Sequence, residues 1–324
     1  MRLLVIGGTR FIGRHLVEAA LADGHEVTLV HRSATDLFPT ARHLLVDRNG
    51  DLSALADGEW DATLDMCAYL PGQVRSLASA LGGRGGHHVL VSSVSVYADP
   101  PGPDGDEDSA LLPVAGDDVT EVTGDTYGPL KVACEQAAAA AYDDRLTIVR
   151  PTYVIGPHDP TGRYPWWVRR MARGGEVLAP GGTDDPAQVV DVRDLADFQL
   201  GLATGRVAGA FNAVRPTRRW SELLEATAGV APAGTSLTWV DAPWLAEQGV
   251  TGADLPLWSE GVVEWASAMS PARAEAAGLR HRPLAETVRD TAAWVTDDHL
   301  VEGVGLTAAR EAELLARWAG SRGA

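Results

Sequence analysis

The sequence predicts an α/β fold, a doubly wound parallel sheet with a smaller mixed α/β domain that follows it. Up to Arg150, short apolar runs alternate with helical patterns, and a glycine-rich turn follows the first of these runs. After Arg150, turns become frequent, and nine of the ten tryptophans lie in this half of the chain. Strands that alternate with helices form parallel sheets covered on both faces, and ligands bind at the carboxyl ends of the strands.

The pattern begins with a strand, a glycine turn, a helix and a second strand. The apolar run 3–6 ends at Gly7-Gly8, and apolar residues at helical spacing follow from Phe11 to Leu21. Asp23-Gly24 predicts the end of that helix, and the run 27–30 predicts the second strand. The alternation then predicts helices over 71–81 and 127–142 and further strands at about 43–46, 62–66, 88–92 and 146–150.

An acidic segment over residues 99–125 interrupts the alternation. It contains nine acidic residues and no basic one, so it contributes about half of the net charge of −17. We interpret it as a solvated surface loop, with the alternative that it flanks the entrance of a cleft.

The second half of the chain predicts two short strands, at about 189–192 and 210–213, that return to the main sheet. We therefore divide the chain into a first domain over 1–155 and a second domain mainly over 156–324, with segments near 188–215 returning to the first. Helices are predicted over 193–202, 221–228, 271–277, 283–295 and 307–318.

Composition limits the class of function. The 324 residues carry a net charge of −17 and are 45% apolar, which is typical of a soluble globular protein of about two domains. The acidity disfavours a nucleic-acid partner, no apolar run is long enough to cross a membrane, and two cysteines exclude a disulfide scaffold. We expect a cytoplasmic protein that acts on a small molecule. Of its 27 basic residues, 26 are arginine and Lys131 alone is lysine.

The turn after the first strand predicts a dinucleotide site. A tight glycine turn lets the backbone approach a pyrophosphate, and the helix that follows directs free N–H groups and its positive dipole end at the phosphates. The alternative is a structural turn that binds nothing. The residues assigned here to cofactor binding are Gly7, Thr9, Arg10, Phe11, Ile12 and Gly13.

Two positions favour NADP(H) over NAD(H). The usual three-glycine spacing would place a glycine where Arg10 stands, and His31-Arg32 replace the acid that normally ends the second strand and accepts from the adenosine ribose. An acid would repel a 2′-phosphate, whereas arginine would bind it through charge-assisted hydrogen bonds. The alternative is that Arg10 and Arg32 are ordinary surface cations in an arginine-rich chain.

A serine, a tyrosine and the single lysine form the candidate catalytic set. Ser93 lies at the carboxyl end of the fifth strand, and Tyr127 and Lys131 lie one turn apart on the predicted helix. An ammonium favours the ionised form of a nearby phenol, so Tyr127 can exchange a proton with a carbonyl or alcohol while hydride moves to or from a nicotinamide. Ser93 would hold the substrate oxygen, and Lys131 would also bind the nicotinamide ribose.

These segments resemble the extended short-chain dehydrogenase/reductase superfamily, in its NAD(P)-dependent epimerase/dehydratase family, whose first domain is a Rossmann fold. The family serine stands four residues before a tyrosine, which selects Ser93 rather than Ser92 or Ser95, although Ala98 replaces the family's following glycine. The glycine turn has Arg10 in place of the usual middle glycine. In this respect it is closest to an atypical GGTRFIG subgroup that includes chloroplast stem-loop RNA-binding proteins. The matching segments are GGTRFIG at 7–13, VSSVSVY at 91–97, YGPLK at 127–131, RPTYVIGP at 150–157 and VVDVRDLA at 189–196.

The resemblance implies further contacts with the cofactor and an oligomeric state. Asp47 would meet the adenine, Cys67 and Tyr69 would pass near the ribose, and Pro151 and Val154 would border the nicotinamide. Members of the family are commonly dimers through the helices at 71–81 and 127–142, so we expect a homodimer.

The segment after the sixth strand supplies candidates for substrate binding. Aromatic rings facing a cleft would suit a hydrophobic substrate, and Arg163 would pair with an anionic group; the alternative is that Trp166 and Trp167 serve packing. Tyr153 stands where many family members have asparagine. No histidine spacing indicates a metal site. The substrate candidates are Ser95, Tyr153, His158, Arg163, Trp166 and Trp167.

The sequence therefore predicts an NADP(H)-dependent oxidoreductase that reduces a carbonyl, or oxidises an alcohol, of a small-molecule metabolite. A first alternative is a nucleotide-sugar epimerase or dehydratase that uses the same three residues and recycles its cofactor. A second is a non-catalytic protein that binds NADP or RNA.

Overall fold

The computed structural model describes residues 1–98, 105–258 and 269–322. The first six residues of the acidic segment, 99–104, lie outside the described residues. The chain groups into two compact units. The first unit comprises Met1–Thr152, Val192–Pro216 and Ala268–His281, and the second comprises Tyr153–Asp191, Thr217–Ser267 and Arg282–Ala324.

The described residues form the following strands and helices, numbered along the chain. The strands are β1 (Arg2–Ile6), β2 (Glu26–His31), β3 (Arg42–Leu45), β4 (Ala62–Asp65), β5 (His87–Val91), β6 (Leu146–Pro151), β7 (Tyr153–Ile155), β8 (Glu176–Pro180), β9 (Pro186–Ala187), β10 (Val189–Asp191), β11 (Gly209–Ala213), β12 (Arg218–Arg219) and β13 (Ser236–Val240). The α-helices are α1 (Phe11–Ala22), α2 (Pro71–Leu81), α3 (Gly124–Tyr142), α4 (Arg163–Arg173), α5 (Val192–Gly205), α6 (Trp220–Thr227), α7 (Ala242–Glu247), α8 (Ala272–Ala276), α9 (Leu284–Trp294) and α10 (Ala308–Ser321).

The first unit is built on a seven-stranded parallel sheet with the order β11-β6-β5-β4-β1-β2-β3. The chain runs outward from β1 through β2 to β3 and then returns to the other side of β1 as β4. The order therefore reverses between β1 and β4, where a doubly wound sheet opens a crevice at its carboxyl edge. The predicted fold class is confirmed.

Local signals set the bounds of α2. Pro71 occupies its first turn, and Gly82 ends it in a left-handed conformation with φ of 52°. Val74, Leu77 and Leu81 form its buried face at helical spacing. The helix spans the predicted residues.

The predicted start of α3 is wrong by three residues. The helix begins at Gly124, and the Thr123 side chain caps it by accepting a hydrogen bond from the Thr126 N–H. Pro129 therefore lies in the second turn rather than the first, where it leaves the Asp125 carbonyl without its helical donor. A start at residue 127, as predicted, would have placed Pro129 in the first turn, where proline is most easily accommodated.

The prediction that both later strands rejoin the main sheet is half right. β11 pairs with β6 in the seven-stranded sheet, whereas Val189–Asp191 pairs in parallel with Tyr153–Ile155 in a separate two-stranded ladder. A strand of only three residues, Val-Val-Asp, is equally suited to either ladder. The pairing is therefore decided by tertiary structure.

The interpretation of the acidic segment as a solvated loop needs correction at Glu107. Most of residues 105–125 are exposed or half-buried, but Glu107 is only 7% exposed. Its carboxylate accepts from the backbone N–H of Asn212 at 2.7 Å and lies 3.4 Å from Arg273 Nε. A buried carboxylate needs such partners, and these were out of reach of local sequence patterns.

The second unit has a core rich in tryptophan. The Trp167 ring packs edge-on against Trp166 and Trp220, with centroids 4.7 Å and 5.5 Å away. β8 and β13 pair in parallel beside this core. Among the described residues, no helix is long and apolar enough to span a bilayer.

Candidate active site

The glycine turn after β1 is so tight that a side chain at Gly7 or Gly13 would clash with its neighbours. Gly7 has φ of +87°, and a Cβ there would lie 2.8 Å from Cys67 Sγ. A Cβ on Gly13 would lie 2.3 Å from the Gly7 carbonyl oxygen. The first turn of α1 therefore packs directly on the backbone that leaves β1.

The amino end of α1 is suited to an anion. Arg10 is the N-cap residue and forms no side-chain cap, and the first turn carries no acid. A 12-residue helix that begins this way presents its first N–H groups and positive dipole end to an incoming phosphate. This turn fits a dinucleotide pyrophosphate, which Gly7, Thr9 and the backbone of Arg10 to Gly13 would hold. Arg10 itself is exposed.

The predicted cofactor residues near the ends of β2 and β3 differ in exposure. Arg32 and Asp47 are exposed. His31 is buried, with Nδ1 at 2.7 Å from the Ser33 carbonyl oxygen and Nε2 at 2.8 Å from His43 Nδ1. The His31 ring therefore links the loop that begins with Arg32, through Ser33, to His43 of β3. Arg32 is thus the more accessible of the two predicted cofactor residues.

Ser93 lies where β5 ends and a short 3₁₀ helix, Val94–Val96, begins. Its Oγ accepts from the backbone N–H of Ser95 at 3.1 Å and donates to Ser95 Oγ at 3.0 Å. Ser93 is 8% exposed, so its hydroxyl is held in one place. The two predicted serines therefore form one hydrogen-bonded pair.

Gly128 allows α3 to pack closely against the turn that carries Ser93 and Ser95, called the serine turn below. A Cβ at Gly128 would lie 2.3 Å from the Ser95 carbonyl oxygen and 2.6 Å from Leu112 Cδ1. No larger residue fits without moving the helix. Because Gly128 follows Tyr127, it sets how closely the tyrosine's helix approaches Ser93 and Ser95. The segment YGPLK contains this glycine, but its role in packing was not predicted from the sequence.

Lys131 is buried and largely committed to the backbone. It is 3% exposed, and Nζ donates to the carbonyl oxygens of Ala68 and Val91, each at 2.8 Å. An ammonium has three N–H bonds, so one remains for a ligand. Burial lowers the pKa of Lys131.

The ammonium of Lys131 lies near two aromatic rings. Nζ is 5.8 Å from the ring centroid of Tyr127 and 5.1 Å from that of Tyr69. Both distances are within the range of a cation–π interaction. Burial raises the pKa of Tyr69. The structure thus brings together Tyr127, Lys131 and Tyr69 in the first unit.

Sequence reasoning missed a buried ion pair beside the glycine turn. Arg48 Nη1 and Nη2 donate to the two oxygens of Asp65 at 2.6 Å and 2.8 Å, and Nη1 lies 3.4 Å from Cys67 Sγ. Burial opposes ionisation of Asp65, but the Arg48 guanidinium outweighs it and lowers the pKa of that carboxyl. One sequence feature could have indicated this pair. Arg48 and Asp65 carry opposite charges and lie near the carboxyl ends of β3 and β4, which lie on the same edge of the sheet.

The second unit holds most of the predicted substrate residues. Arg163 Cζ lies 5.2 Å from the ring centroid of Tyr153, and the His158 ring lies 5.2 Å from that of Trp294. Trp166 and Trp167 are 6% and 1% exposed, and their indole N–H groups donate to the carbonyl oxygens of Leu306 and Pro256. Their placement favours packing over ligand contact.

Pro151 ends β6 in the first unit, and Val154 lies in β7 of the second. Among the residues that the structure describes, no group of three or more His, Cys, Asp or Glu side chains is arranged to hold a metal ion.

A family model for the NAD dependent epimerase/dehydratase family matches residues 3–62 and 68–213. This match covers the glycine turn, Ser93, Tyr127 and Lys131. The chain belongs to the NAD dependent epimerase/dehydratase family. This membership confirms the predicted superfamily. It also confirms the prediction of an NAD(P)-dependent enzyme of the short-chain dehydrogenase/reductase type.

Solved structures of the family share the fold. A Burkholderia cenocepacia J2315 protein assigned as an epimerase is 26% identical, with a TM-score of 0.68 over 90% of this chain and 97% of that one. UDP-glucuronic acid 4-epimerase from Bacillus cereus, in complex with NAD, is 14% identical with a TM-score of 0.68, covering 91% and 96% of the two chains.

The chain is also similar in sequence to a curated protein, the chloroplast stem-loop binding protein of 41 kDa b of Arabidopsis thaliana. It is 25% identical over 219 residues, which is 62% of this chain. The match spans 54% of that protein, about half of its length.

Proposed function

We propose that this protein transfers hydride between NADP(H) and the carbon of a carbonyl or alcohol in a small-molecule metabolite, with Tyr127 as acid and base. The observation that carries the proposal is the placement of Lys131. The only lysine of an arginine-rich chain is buried between two backbone carbonyls and lies 5.8 Å from the Tyr127 ring.

The three residues have distinct roles in this proposal. Lys131 stabilises negative charge on the Tyr127 phenol through space, because two of its three N–H bonds are already used. Its third N–H is available to a ribose hydroxyl. Tyr127 then gives its proton to the substrate oxygen, or takes one from it. Ser93 would donate to the same oxygen by turning its single O–H away from Ser95 Oγ, to which it donates in the structure. The nicotinamide, when bound, supplies or accepts the hydride.

A preference for NADP(H) over NAD(H) is supported by charge after β2. Arg32 is exposed where an acid would be needed for a ribose 2′-hydroxyl, and Arg10 is exposed at the amino end of α1. Each guanidinium can form bidentate bonds with a phosphate.

A second candidate is an epimerase or dehydratase of a nucleotide sugar. It is supported by the family match and by structural neighbours described as UDP-sugar epimerases. The same Tyr127, Lys131 and Ser93 would act, but the cofactor would be reduced and reoxidised within one turnover, so that none is consumed.

The experiment combines the purified protein with NADPH and two substrate panels, simple ketones and nucleoside diphosphate sugars. Loss of nicotinamide absorbance with a ketone supports the reductase, whereas sugar conversion without that loss supports the epimerase or dehydratase. Tyr127→Phe should lower kcat about 100-fold or more in either case. Tyr142→Phe is the matched control, because it removes a buried phenol hydroxyl at the other end of the same helix, and it should retain most activity.

Tyr127→Phe with full activity would contradict the assignment of the acid and base. Binding of NADP or a stem-loop RNA without turnover of either panel would instead support the non-catalytic alternative.

We also propose a homodimer that acts on its substrate in the cytoplasm. Near its end α3 exposes three small residues, Ala139 to Ala141, whose short side chains leave room for a second copy of the chain. Light scattering after size exclusion should give twice the chain mass of 34.2 kDa. Ala140→Glu should then yield the monomer.

A further inference from the structure

The Arg48–Asp65 pair is almost completely removed from solvent. Asp65 is 0% exposed and Arg48 is 9% exposed. The pair lies among segments that form the site: Arg48 follows β3, Asp65 ends β4, and Cys67 packs beneath Gly7. It has no role in the proton transfer described above.

Stability alone does not account for this pair. Two charges lose their hydration when they are buried, and well-packed apolar residues of similar volume are often equally or more stable. Arg48 Nε, moreover, has no hydrogen-bond partner among the described residues. An arrangement that leaves a buried donor unpaired is not optimised for stability.

The pair does determine the path of the chain after β4. Asp65 Oδ1 accepts both from Arg48 Nη1 and, at 3.2 Å, from the backbone N–H of Cys67. Arg48 Nη1 also lies 3.4 Å from Cys67 Sγ. The guanidinium and the carboxylate thus hold the turn over residues 65–67 from two sides.

The next residue in the chain holds the lysine. The Ala68 carbonyl oxygen accepts from Lys131 Nζ at 2.8 Å and is one of the two carbonyl acceptors of this ammonium. A short chain of contacts therefore runs from Arg48 through Asp65, Cys67 and Ala68 to Lys131.

We propose that Arg48 and Asp65 are positioning residues for Lys131, holding the 65–68 turn so that the Ala68 carbonyl aims the ammonium at its ligands. The consequence for catalysis rests on the proposed function. The consequence for Lys131 itself does not, and it can be measured without any substrate.

The test uses the fact that the chain has one lysine. Protein labelled with ¹³C only at lysine gives one lysine Cε signal in the NMR spectrum, and acylation of Lys131 by a small amine-reactive ester can be followed by mass spectrometry. The test variant is Arg48→Met with Asp65→Leu, which removes both charges together and leaves the local net charge unchanged.

We expect the lysine signal to shift and the acylation of Lys131 to become about tenfold faster, because a hydrogen bond to a charged group is lost or weakened. The matched control is Arg170→Met with Glu311→Leu. That pair is equally buried, at 6% and 4% side-chain exposure, and lies in the second unit. It should leave both measurements unchanged.

An unshifted signal and an unchanged acylation rate in the folded test variant would overturn the proposal. So would equal changes in the test and control variants, since these would reflect general loosening. If the double variant does not fold, Asp65→Asn replaces it, because the amide still offers an oxygen to the Cys67 N–H. A smaller shift in the same direction then supports the proposal, and no shift overturns it.

Failure of the proposed function has a different signature. A wild-type protein that turns over neither substrate panel would contradict that function, while the response of the lysine signal to the variants would still decide the positioning role of Arg48 and Asp65.

Discussion

A Cβ atom on Gly128 would lie 2.3 Å from the carbonyl oxygen of Ser95, so the helix that carries Tyr127 and Lys131 touches the serine turn through bare backbone. The contact joins two segments that are distant in sequence. It makes one glycine responsible for the spacing of the candidate catalytic groups.

We predict that Gly128→Ala displaces α3 and lowers activity about tenfold or more, at a stability cost of about 1–3 kcal/mol from overpacking. Gly124→Ala is the control on the same helix, since a Cβ there meets nothing within 4 Å. It should keep activity and stabilise the protein by up to about 1 kcal/mol. Thermal unfolding and steady-state kinetics measure both effects, and equal behaviour of the two variants would contradict the prediction.

Lys131→Arg keeps the positive charge but should lower kcat about 100-fold. The planar guanidinium is bulkier than an ammonium and does not fit between the Ala68 and Val91 carbonyl oxygens, 2.8 Å from each, at a position only 3% exposed. The exchange Arg75→Lys, at an exposed arginine on α2, is the control and should leave kcat unchanged. Wild-type kcat in Lys131→Arg would show that charge alone suffices.

Arg32→Asp should reverse the cofactor preference. Removing a guanidinium from a 2′-phosphate and adding a carboxylate should lower kcat/KM for NADPH relative to NADH about 10- to 100-fold. Arg42→Asp makes the same charge change at another exposed arginine and should leave the ratio unaltered. Kinetics with both cofactors provide the ratio. A ratio that stays constant in Arg32→Asp would exclude a contact with the 2′-phosphate.

His88 predicts a pH dependence of stability. Its ring is 0% exposed, stacks on Tyr142 with centroids 3.9 Å apart, and has no hydrogen-bond partner for either nitrogen among the described residues. Burial lowers the pKa of His88 to about 4. The unfolded chain therefore takes up a proton before the folded protein does, and stability falls as the pH drops from about 6.5 to about 4.

His88→Phe keeps the stacked ring and removes this proton uptake. Between about pH 7.5 and pH 5, the loss in free energy of unfolding should be smaller than in the wild type by about 2 kcal/mol. Urea unfolding at the two pH values measures this difference, and all other titrating groups are common to both proteins. Equal losses would mean that the folded protein protonates His88 as readily as the unfolded chain.

The sequence predicted well those features that depend on neighbours along the chain. Pro71 and Gly82 delimit α2 through their backbone geometry, and Tyr127 and Lys131 share a helix face because of their spacing. The start of α3 was misplaced because the Thr123 cap that sets it lies four residues before Tyr127, where the prediction began the helix.

Features that depend on strand order were not predicted. Arg48 follows β3 at one edge of the sheet and still meets Asp65 at the end of β4, although β1 and β2 lie between the two strands. Glu107 is buried because Asn212 and Arg273 are brought to it from far along the chain. Trp166 and Trp167 are equally compatible with a pocket or a core by composition, and their carbonyl partners placed them in a core.

The sequence by itself determined the doubly wound fold, the glycine turn and the lone lysine four residues after Tyr127, because periodicity, turn chemistry and composition are local properties of the chain. Only the tertiary structure decided what surrounds that lysine: the carbonyls of Ala68 and Val91, the ring of Tyr69 and the Arg48–Asp65 pair. Hydrogen bonds and ion pairs between segments depend on which strands become neighbours, and apolar burial, which drives that choice, is not directional.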